Sequence, residues 1–201
     1  MRALPSLCFG VCAGAVVTAC SADGPTSASP RADRASLTPA FLSPAPSAPE
    51  IANPVVSFYA KRGEKRSGIM VYHARPGERD STEFLRFEVH RRSLLVPDGD
   101  SVLITMTLVD PKSMIVEFQP AGLQFNPDDP AEAEFSYREA NPDVDGDGIV
   151  DAQDTLLTPS FRIWKQETAT DPWVPLSSDE LQDLGTVVAP ITGFTRYAIA
   201  Y

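Results

Sequence analysis

Leu85-Arg86-Phe87-Glu88-Val89-His90 is the stretch of sequence that decides the fold class. Its apolar side chains alternate with polar ones. Because successive side chains of a β-strand point to opposite faces, this period of two indicates a strand with one face in the core and one in water. The same alternation returns in 102–108, after Pro97-Asp98-Gly99, and in 114–118, after Asp110-Pro111. The pattern therefore predicts antiparallel strands joined by short turns.

Further runs of β-branched and aromatic residues extend this series along the chain. About nine short strands are predicted, with no long helical period between them. They lie at 55–60, 69–73, 85–90, 102–108, 114–118, 133–137, 161–164, 173–176 and 194–201. Only Ser178 to Leu184 suggests a helical turn, with Ser178 as its N-cap. The sequence thus predicts an all-β protein, an antiparallel β-sandwich.

The N-terminus has the features of an export signal. Arg2 supplies a positive charge, and 4–17 is an apolar stretch too short to span a bilayer as a permanent helix. It ends in Val17-Thr18-Ala19-Cys20, which resembles the cleavage site of bacterial lipoproteins. The resemblance implies that 1–19 is a signal peptide and that Cys20 becomes lipid-modified, which would anchor the protein to a membrane. The alternative is an ordinary secretory signal that Cys20 happens to follow.

Composition restricts the partners of the exported protein. The chain has 17 basic and 27 acidic residues and a formal net charge of -10, which disfavours nucleic acid and favours divalent cations. Cys8 and Cys12 lie in the expected signal, so Cys20 is the one thiol left and no disulfide can form. In a host with two membranes, Ser21 in place of Asp after the cysteine resembles lipoproteins that are sorted to the outer membrane.

The residues after Cys20 divide into a linker and a folded domain. Residues 20–50 are rich in Pro, Ser and Ala, which predicts a disordered tether. Leu37, Phe41 and Leu42 form a small apolar island in it, more typical of a local contact with the domain than of a recognition peptide. Residues 51–201 are expected to form one β-sandwich domain.

The sharpest chemical motif is Asp143-Val-Asp145-Gly-Asp147-Gly-Ile149-Val-Asp151-Ala-Gln-Asp154. Its acids occupy positions 1, 3, 5, 9 and 12 of a twelve-residue loop, with Gly148 at position 6 for a sharp turn. This spacing wraps oxygen ligands around Ca²⁺, and position 7 supplies a backbone carbonyl. The predicted ligands are Asp143, Asp145, Asp147, Asp154 and the carbonyl of Ile149, with Asp151 direct or through water.

Two features distinguish this loop from a helix-loop-helix calcium sensor. Position 12 is Asp154 instead of the longer Glu, and the flanking sequence shows no helical period. The loop therefore resembles the calcium repeats of thrombospondin type 3 and of dockerins. We favour a structural ion that orders a loop inserted between strands over a catalytic ion. A solvated acidic loop without any ion is the remaining alternative.

Pro120, Gly122 and Phe125 lie in a turn before a strand, and the closing run 194–199 is Phe-Thr-Arg-Tyr-Ala-Ile. In these two features the domain resembles the ZU-type β-sandwich of zonula occludens proteins, netrin receptors and ankyrins. Some members of that family cleave themselves at His-Phe-Ser. Gly193 replaces the histidine here, so the resemblance implies that self-cleavage does not occur, although Thr195 retains a hydroxyl.

The sequence contains no pattern typical of an enzyme. Its two histidines, His73 and His90, lie outside catalytic or zinc-binding motifs, and we expect both to be exposed structural residues. Trp164 and Trp173 are expected to pack in or beside the core, with sugar stacking as the alternative. The basic run 61–66 is expected to be a solvated hairpin tip, with an acidic polysaccharide contact as the alternative.

Together these patterns predict a lipid-anchored envelope protein that is not an enzyme. Its expected role is a calcium-stabilised binding or scaffolding module, for a protein or polysaccharide ligand that the sequence does not specify. The alternative is a carbohydrate-recognising accessory module or a weak hydrolase that uses calcium. Exposed tryptophans near the acidic loop would favour sugar binding, and buried ones would favour the scaffold.

Overall fold

The computed structural model describes residues 38–201, so the expected signal peptide, Cys20 and most of the expected tether lie outside the described residues. Within this range the chain forms eleven strands, one short helix and one 3-10 turn. Their bounds are β1 Val55–Lys61, β2 Arg66–Val71, β3 Glu83–Val89, β4 Ser101–Asp110, β5 Ile115–Gln119, β6 Ala131–Ser136, α1 Ala152–Leu157, the 3-10 turn Thr158–Ser160, β7 Arg162–Gln166, β8 Val174–Pro175, β9 Asp179–Leu181, β10 Thr186–Ile191 and β11 Arg196–Ala200.

The strands form two antiparallel sheets that pack face to face. The first sheet has the order β1-β4-β5-β11-β7-β8, and the second has the order β2-β3-β6-β10-β9. β3 confirms the alternation seen in the sequence, since Leu85, Phe87 and Val89 are buried while Arg86 and Glu88 are partly exposed. The predicted all-β sandwich is therefore confirmed.

The core between the sheets is rich in aromatic side chains. Phe87 from the second sheet contacts three rings, with centroid separations of 5.0 Å to Phe118, 6.0 Å to Phe125 and 5.5 Å to Phe194. Tyr197 packs edge-on against Phe118 at 5.3 Å. Aromatic side chains bury large apolar areas, so this cluster is the centre of the hydrophobic stabilisation of the fold.

The region 178–191 differs from the prediction. The expected helical turn at Ser178–Leu184 is wrong, because Asp179–Leu181 is strand β9 and pairs with Thr186–Val188 of β10. A turn closed by Gly185, which has a φ of 63°, joins the two strands. Pairing with a neighbouring strand outweighed the weak local helical signal.

β10 was not predicted, and Pro190 explains why. Proline cannot donate a ladder hydrogen bond, so a proline inside an apolar run argues against an interior strand. β10 nevertheless lies between β6 and β9, but β9 reaches only as far as Val188. Pro190 therefore lies beyond the end of β9, where its missing N–H removes no partner.

The described part of the expected tether lies on the domain. Residues 38–54, which we call the strap, pair with β11, where the Leu42 N–H donates to the Ile199 carbonyl at 3.1 Å. Directly after β11, Ala40 and Tyr201 exchange backbone hydrogen bonds of 3.1 Å in both directions. The strap then reaches the second sheet, where the Ala52 N–H donates to the carbonyl of Val71. Leu42 is buried. The ordered domain thus begins before the Ile51 boundary expected from composition, because the strap completes backbone pairs that composition does not reveal.

Candidate metal centre

The aspartate-rich loop, 143–154, lies between β6 and β7 along the chain. The Tyr201 hydroxyl donates a 2.8 Å hydrogen bond to the carbonyl of Val144, which fixes the loop to the last residue of the chain. Burial raises the pKa of Tyr201, and the negative charges of Asp145, Asp154 and Asp143 raise it further. The loop is therefore a local concentration of negative charge on a well-defined support.

Three of the predicted ligands converge. One carboxylate oxygen from each of Asp143, Asp145 and Asp147 lies within 4.8 Å of the other two. Calcium–oxygen distances are about 2.4 Å, so two oxygens on opposite sides of a bound ion are about 5 Å apart. The observed spacing fits this requirement. The same closeness makes the three carboxylates repel one another when no cation is bound.

Local backbone hydrogen bonds explain why the three side chains turn inward. The Asp143 carboxylate accepts from the N–H groups of Gly146 at 3.0 Å and Gly148 at 3.1 Å. Asp145 accepts from the N–H of Asp147 at 3.2 Å, and Asp147 from that of Ile149 at 2.7 Å. Each is a short-range turn that Asp side chains favour. The loop is thus folded around its own carboxylates.

Glycine is required at position 6 of this loop. Gly148 has a φ of 88°, a left-handed conformation that residues with a Cβ disfavour. Space is not the constraint, because a Cβ built on Gly148 would meet nothing within 4 Å. The backbone conformation that the motif predicted at this position is confirmed.

Asp154 has a different place from the first three acids. It is only 4% exposed, and it does not belong to the converging group of three carboxylates. Its Oδ1 accepts from the N–H groups of Val144 at 2.6 Å and Asp145 at 3.2 Å, and its Oδ2 accepts from that of Asp151 at 2.8 Å. These bonds, first the one from Asp151, hold the pKa of the Asp154 carboxyl below its ordinary value. Asp154 therefore joins the two ends of the loop.

Asp151 and Ile149 are also placed by local structure. Asp151 is the N-cap of α1, and its carboxylate accepts from the N–H of Gln153 at 2.7 Å. Together with Asp154 it forms a capping box, so a helix begins inside the loop. The sequence that follows the loop was expected to have no helix, and this expectation is wrong, because α1 spans 152–157. The capping hydrogen bonds of Asp151 and Asp154 offset the weak helical periodicity. The Ile149 side chain is 61% exposed, on the outside of the loop.

The two tryptophans contact residues outside this loop. Trp164 is buried, and its indole N–H donates to the carbonyl of Ala200 at 3.1 Å. Trp173 is half-buried and meets Phe41 of the strap edge-on at 5.0 Å. Neither ring forms an open platform for stacking.

The charged candidates are distributed over the surface. His73 is exposed, as expected, whereas His90 is half-buried and lies 3.0 Å from a carboxylate oxygen of Glu88. The four bases of the run 61–66 occupy a hairpin tip and form ion pairs with nearby acids. These pairs are Lys61–Glu64, Arg62–Asp98, Lys65–Glu88 and Arg66–Glu64. The basic run therefore presents little uncompensated charge.

Thr195, the hydroxyl residue of the ZU-type closing sequence, is buried. Its hydroxyl donates to the carbonyl of Gln166. This carbonyl is an acceptor and not a base that could activate the hydroxyl for attack. The absence of self-cleavage stays a prediction.

Comparisons with known proteins leave the family open. No family model matches the chain, and no curated protein or solved structure was found to match it. Among residues 38–201, no helix is long and apolar enough to cross a membrane. The functional reasoning therefore rests on the geometry of the chain itself.

Proposed function

We propose that the protein is a lipid-anchored component of the bacterial cell envelope whose β-sandwich is a calcium-stabilised binding or scaffolding module. The observation that carries the calcium part is the convergence of Asp143, Asp145 and Asp147 to within 4.8 Å. The lipid anchor at Cys20 and the outer-membrane location are supported by the sequence of 1–21 alone. The ligand of the module would be a protein or a polysaccharide.

Calcium fits this donor set better than other common cations. The three converging groups are carboxylates, and a calcium ion needs six to eight oxygen ligands, which water and the Ile149 carbonyl would complete. Zinc prefers histidine and cysteine ligands. The group of converging side chains found within 38–201 consists of three aspartates and contains neither residue type. The bound ion would neutralise the repulsion among the carboxylates and hold the loop in place.

The position of the loop supports a structural ion over a catalytic one. Asp154 is buried and engaged by three backbone N–H groups, and Asp151 caps α1, so neither acid is free to act on a substrate. The two histidines lie in other elements, since His73 follows β2 and His90 follows β3.

The carbohydrate-binding alternative lacks a specific observation in its favour. It required exposed tryptophans beside the acidic loop, whereas Trp164 is buried and Trp173 packs against the strap. The scaffold interpretation is therefore preferred. Binding to a polysaccharide through other surfaces remains compatible with that interpretation.

Calorimetric titration of the compact unit Ala35–Tyr201 with Ca²⁺ tests the proposal. We expect one site and a melting temperature that rises in millimolar calcium, because an ion that binds only the folded state stabilises it by mass action, about 2.7 kcal/mol at a concentration one hundred times Kd. Mg²⁺ at the same concentration is the control, and we expect a smaller rise because Mg²⁺ demands a tighter octahedral site. Neither heat nor a change in melting temperature with calcium would refute the proposal.

The anchor needs a separate experiment in the intact chain. We expect expression in a diderm bacterium to give a membrane-associated protein that incorporates radiolabelled palmitate, and Cys20→Ser to abolish the label. A labelled C20S protein, or an unlabelled parent chain, would contradict the anchor without bearing on calcium.

A further inference from the structure

A cavity of about 340 Å³ lies beneath the strap, and no residue of the aspartate-rich loop lines it. The strap passes over it as it crosses from the first sheet, at Ala40 and Leu42, to the second sheet, at Ala52. The floor of the cavity includes Tyr72 and Phe84, which are both almost completely buried. The cavity thus lies where the strap covers the open end of the sandwich core.

Most side chains that line the cavity are apolar, and few of them can donate a hydrogen bond. Four of its residues are prolines, which have no backbone N–H, and Leu108 and Met114 complete the apolar side. The prolines are Pro44, Pro49, Pro54 and Pro111. Glu50 is the one charged residue of the lining, and it is exposed at the rim. Such a site favours an apolar guest and disfavours an anion.

The Tyr72 hydroxyl is the one side-chain hydroxyl among the residues that line the cavity. Its partner is the sulfur of Met114, at 3.9 Å, and a thioether is a weak acceptor. Burial raises the pKa of Tyr72, and the negative charge of Glu139 raises it further, so the neutral phenol is present as a donor. A buried hydroxyl with only a weak acceptor gains from a stronger one, such as a ligand oxygen.

Met114, the partner of Tyr72, has an unusual backbone. It is the non-glycine residue with a positive φ, 50°, among residues 38–201. Such conformations cost free energy and are concentrated at functional sites. Met114 is also a flexible, polarizable side chain that adapts to guests of different shape. Strain and adaptability therefore coincide at the residue that shares the cavity floor with Tyr72.

We propose that this cavity binds a neutral, mainly aliphatic molecule of about ten carbons that carries one oxygen acceptor, which takes the hydrogen bond of the Tyr72 hydroxyl. The volume lies at the lower end of the range of small-molecule sites, about 300–1,000 Å³. An alcohol, ester or ketone end group fits this chemistry. Its lining contains none of the predicted calcium ligands, and it requires no lipid anchor.

Titration of Ala35–Tyr201 with 1-decanol, followed by calorimetry, tests the site. We expect saturable binding of one molecule, and at least tenfold weaker binding of decanoate, because the Glu50 carboxylate at the rim repels an anion. Tyr72→Phe keeps the ring and removes the hydroxyl, and it should weaken 1-decanol binding about fivefold to tenfold. It should leave the affinity for 1-chlorodecane, which has no oxygen acceptor, unchanged.

Ala48→Phe is the blocking variant, and Ala52→Phe is its matched control on the same strap. Ala48 lines the cavity, whereas Ala52 is exposed and does not. We expect A48F to abolish 1-decanol binding and A52F to bind like the parent chain, with a thermal melt to show that each variant is folded. Failure of the folded parent to bind 1-decanol, or undiminished binding by folded A48F, would overturn the proposal.

Discussion

The aromatic core and the aspartate-rich loop are held together by opposite means. The core around Phe87 excludes water and gains stability from apolar contacts with three other rings. The loop is exposed at Asp145 and Asp147 and is shaped by short backbone-to-carboxylate hydrogen bonds. The core requires no bound ion for its stability, whereas the loop concentrates negative charge that a bound cation would neutralise. We therefore expect core packing and calcium binding at the loop to contribute to the stability of the domain additively.

Phe87→Ala should have the largest effect. Removal of a buried aromatic side chain leaves a cavity and costs about 3–5 kcal/mol of unfolding free energy. We expect the same loss with 2 mM calcium and with EGTA, because the rings that Phe87 contacts lie outside the loop. Urea denaturation in the two buffers measures it. A loss that depends strongly on calcium would show that the core and the loop are coupled.

Asp154→Asn should lower the melting temperature by several degrees even without calcium. The side-chain nitrogen of Asn cannot accept a hydrogen bond. The variant therefore loses the bonds that one carboxylate oxygen of Asp154 accepts from backbone N–H groups. The pKa of Asp154 lies below the ordinary value of 3.8, so its contribution is present above that pH and is lost as the pH falls further. Thermal melts between pH 7 and pH 2.5 should therefore show the parent and D154N converging at acid pH. A constant difference would contradict the assignment of this role to the carboxylate.

Gly148→Ala should cost about 1–2 kcal/mol, because alanine is strained at a φ of 88°. Urea denaturation with EGTA gives the cost in the absence of the ion. The matched control is Gly77→Ala, which has a φ of 91° outside the loop and an equally open surrounding. Both variants should lose similar stability, but only G148A should weaken calcium binding. Equal calcium affinity in the two would indicate that position 6 does not shape the site.

Asp147→Asn should have the smallest effect on the calcium-free protein. Asp147 is exposed, and loss of one of three neighbouring negative charges relieves repulsion, so the melting temperature with EGTA should stay the same or rise slightly. The rise on addition of calcium should shrink or vanish. Comparison of D147N with D154N thus distinguishes an aspartate that binds the ion from one that stabilises the fold of the loop. Identical behaviour of the two variants would remove the distinction drawn between these aspartates.

Much of the fold could be predicted from local pattern, and particular residues show where the pattern failed. The alternation in β3 and β4 marks the strand faces without knowledge of the partner strands. Pro190 argued against a strand at β10, and the acids after Ser178 wrongly indicated the start of a helix. In both places the deciding contact is a neighbouring strand that local sequence does not specify. The ZU-type resemblance stays a prediction.

The aspartate-rich loop was also predicted only in part. The spacing of Asp143, Asp145 and Asp147 suffices to bring them together, because each is turned by a backbone group within a few residues. The role of Asp154 as a buried link to Val144 depends on the path of the whole loop. No sequence pattern predicted the cavity beneath the strap, since Tyr72 and Met114 are far apart in the sequence.

The sequence by itself determined the all-β class, the faces of most strands and the convergence of three aspartates, because these follow from periods and turns of a few residues. Only the tertiary structure decided that the proline-rich strap belongs to the domain, that Asp154 is buried, and that a cavity remains beneath the strap. These features arise where distant segments meet. Their energies depend on contacts and exclusion of water that no local pattern encodes.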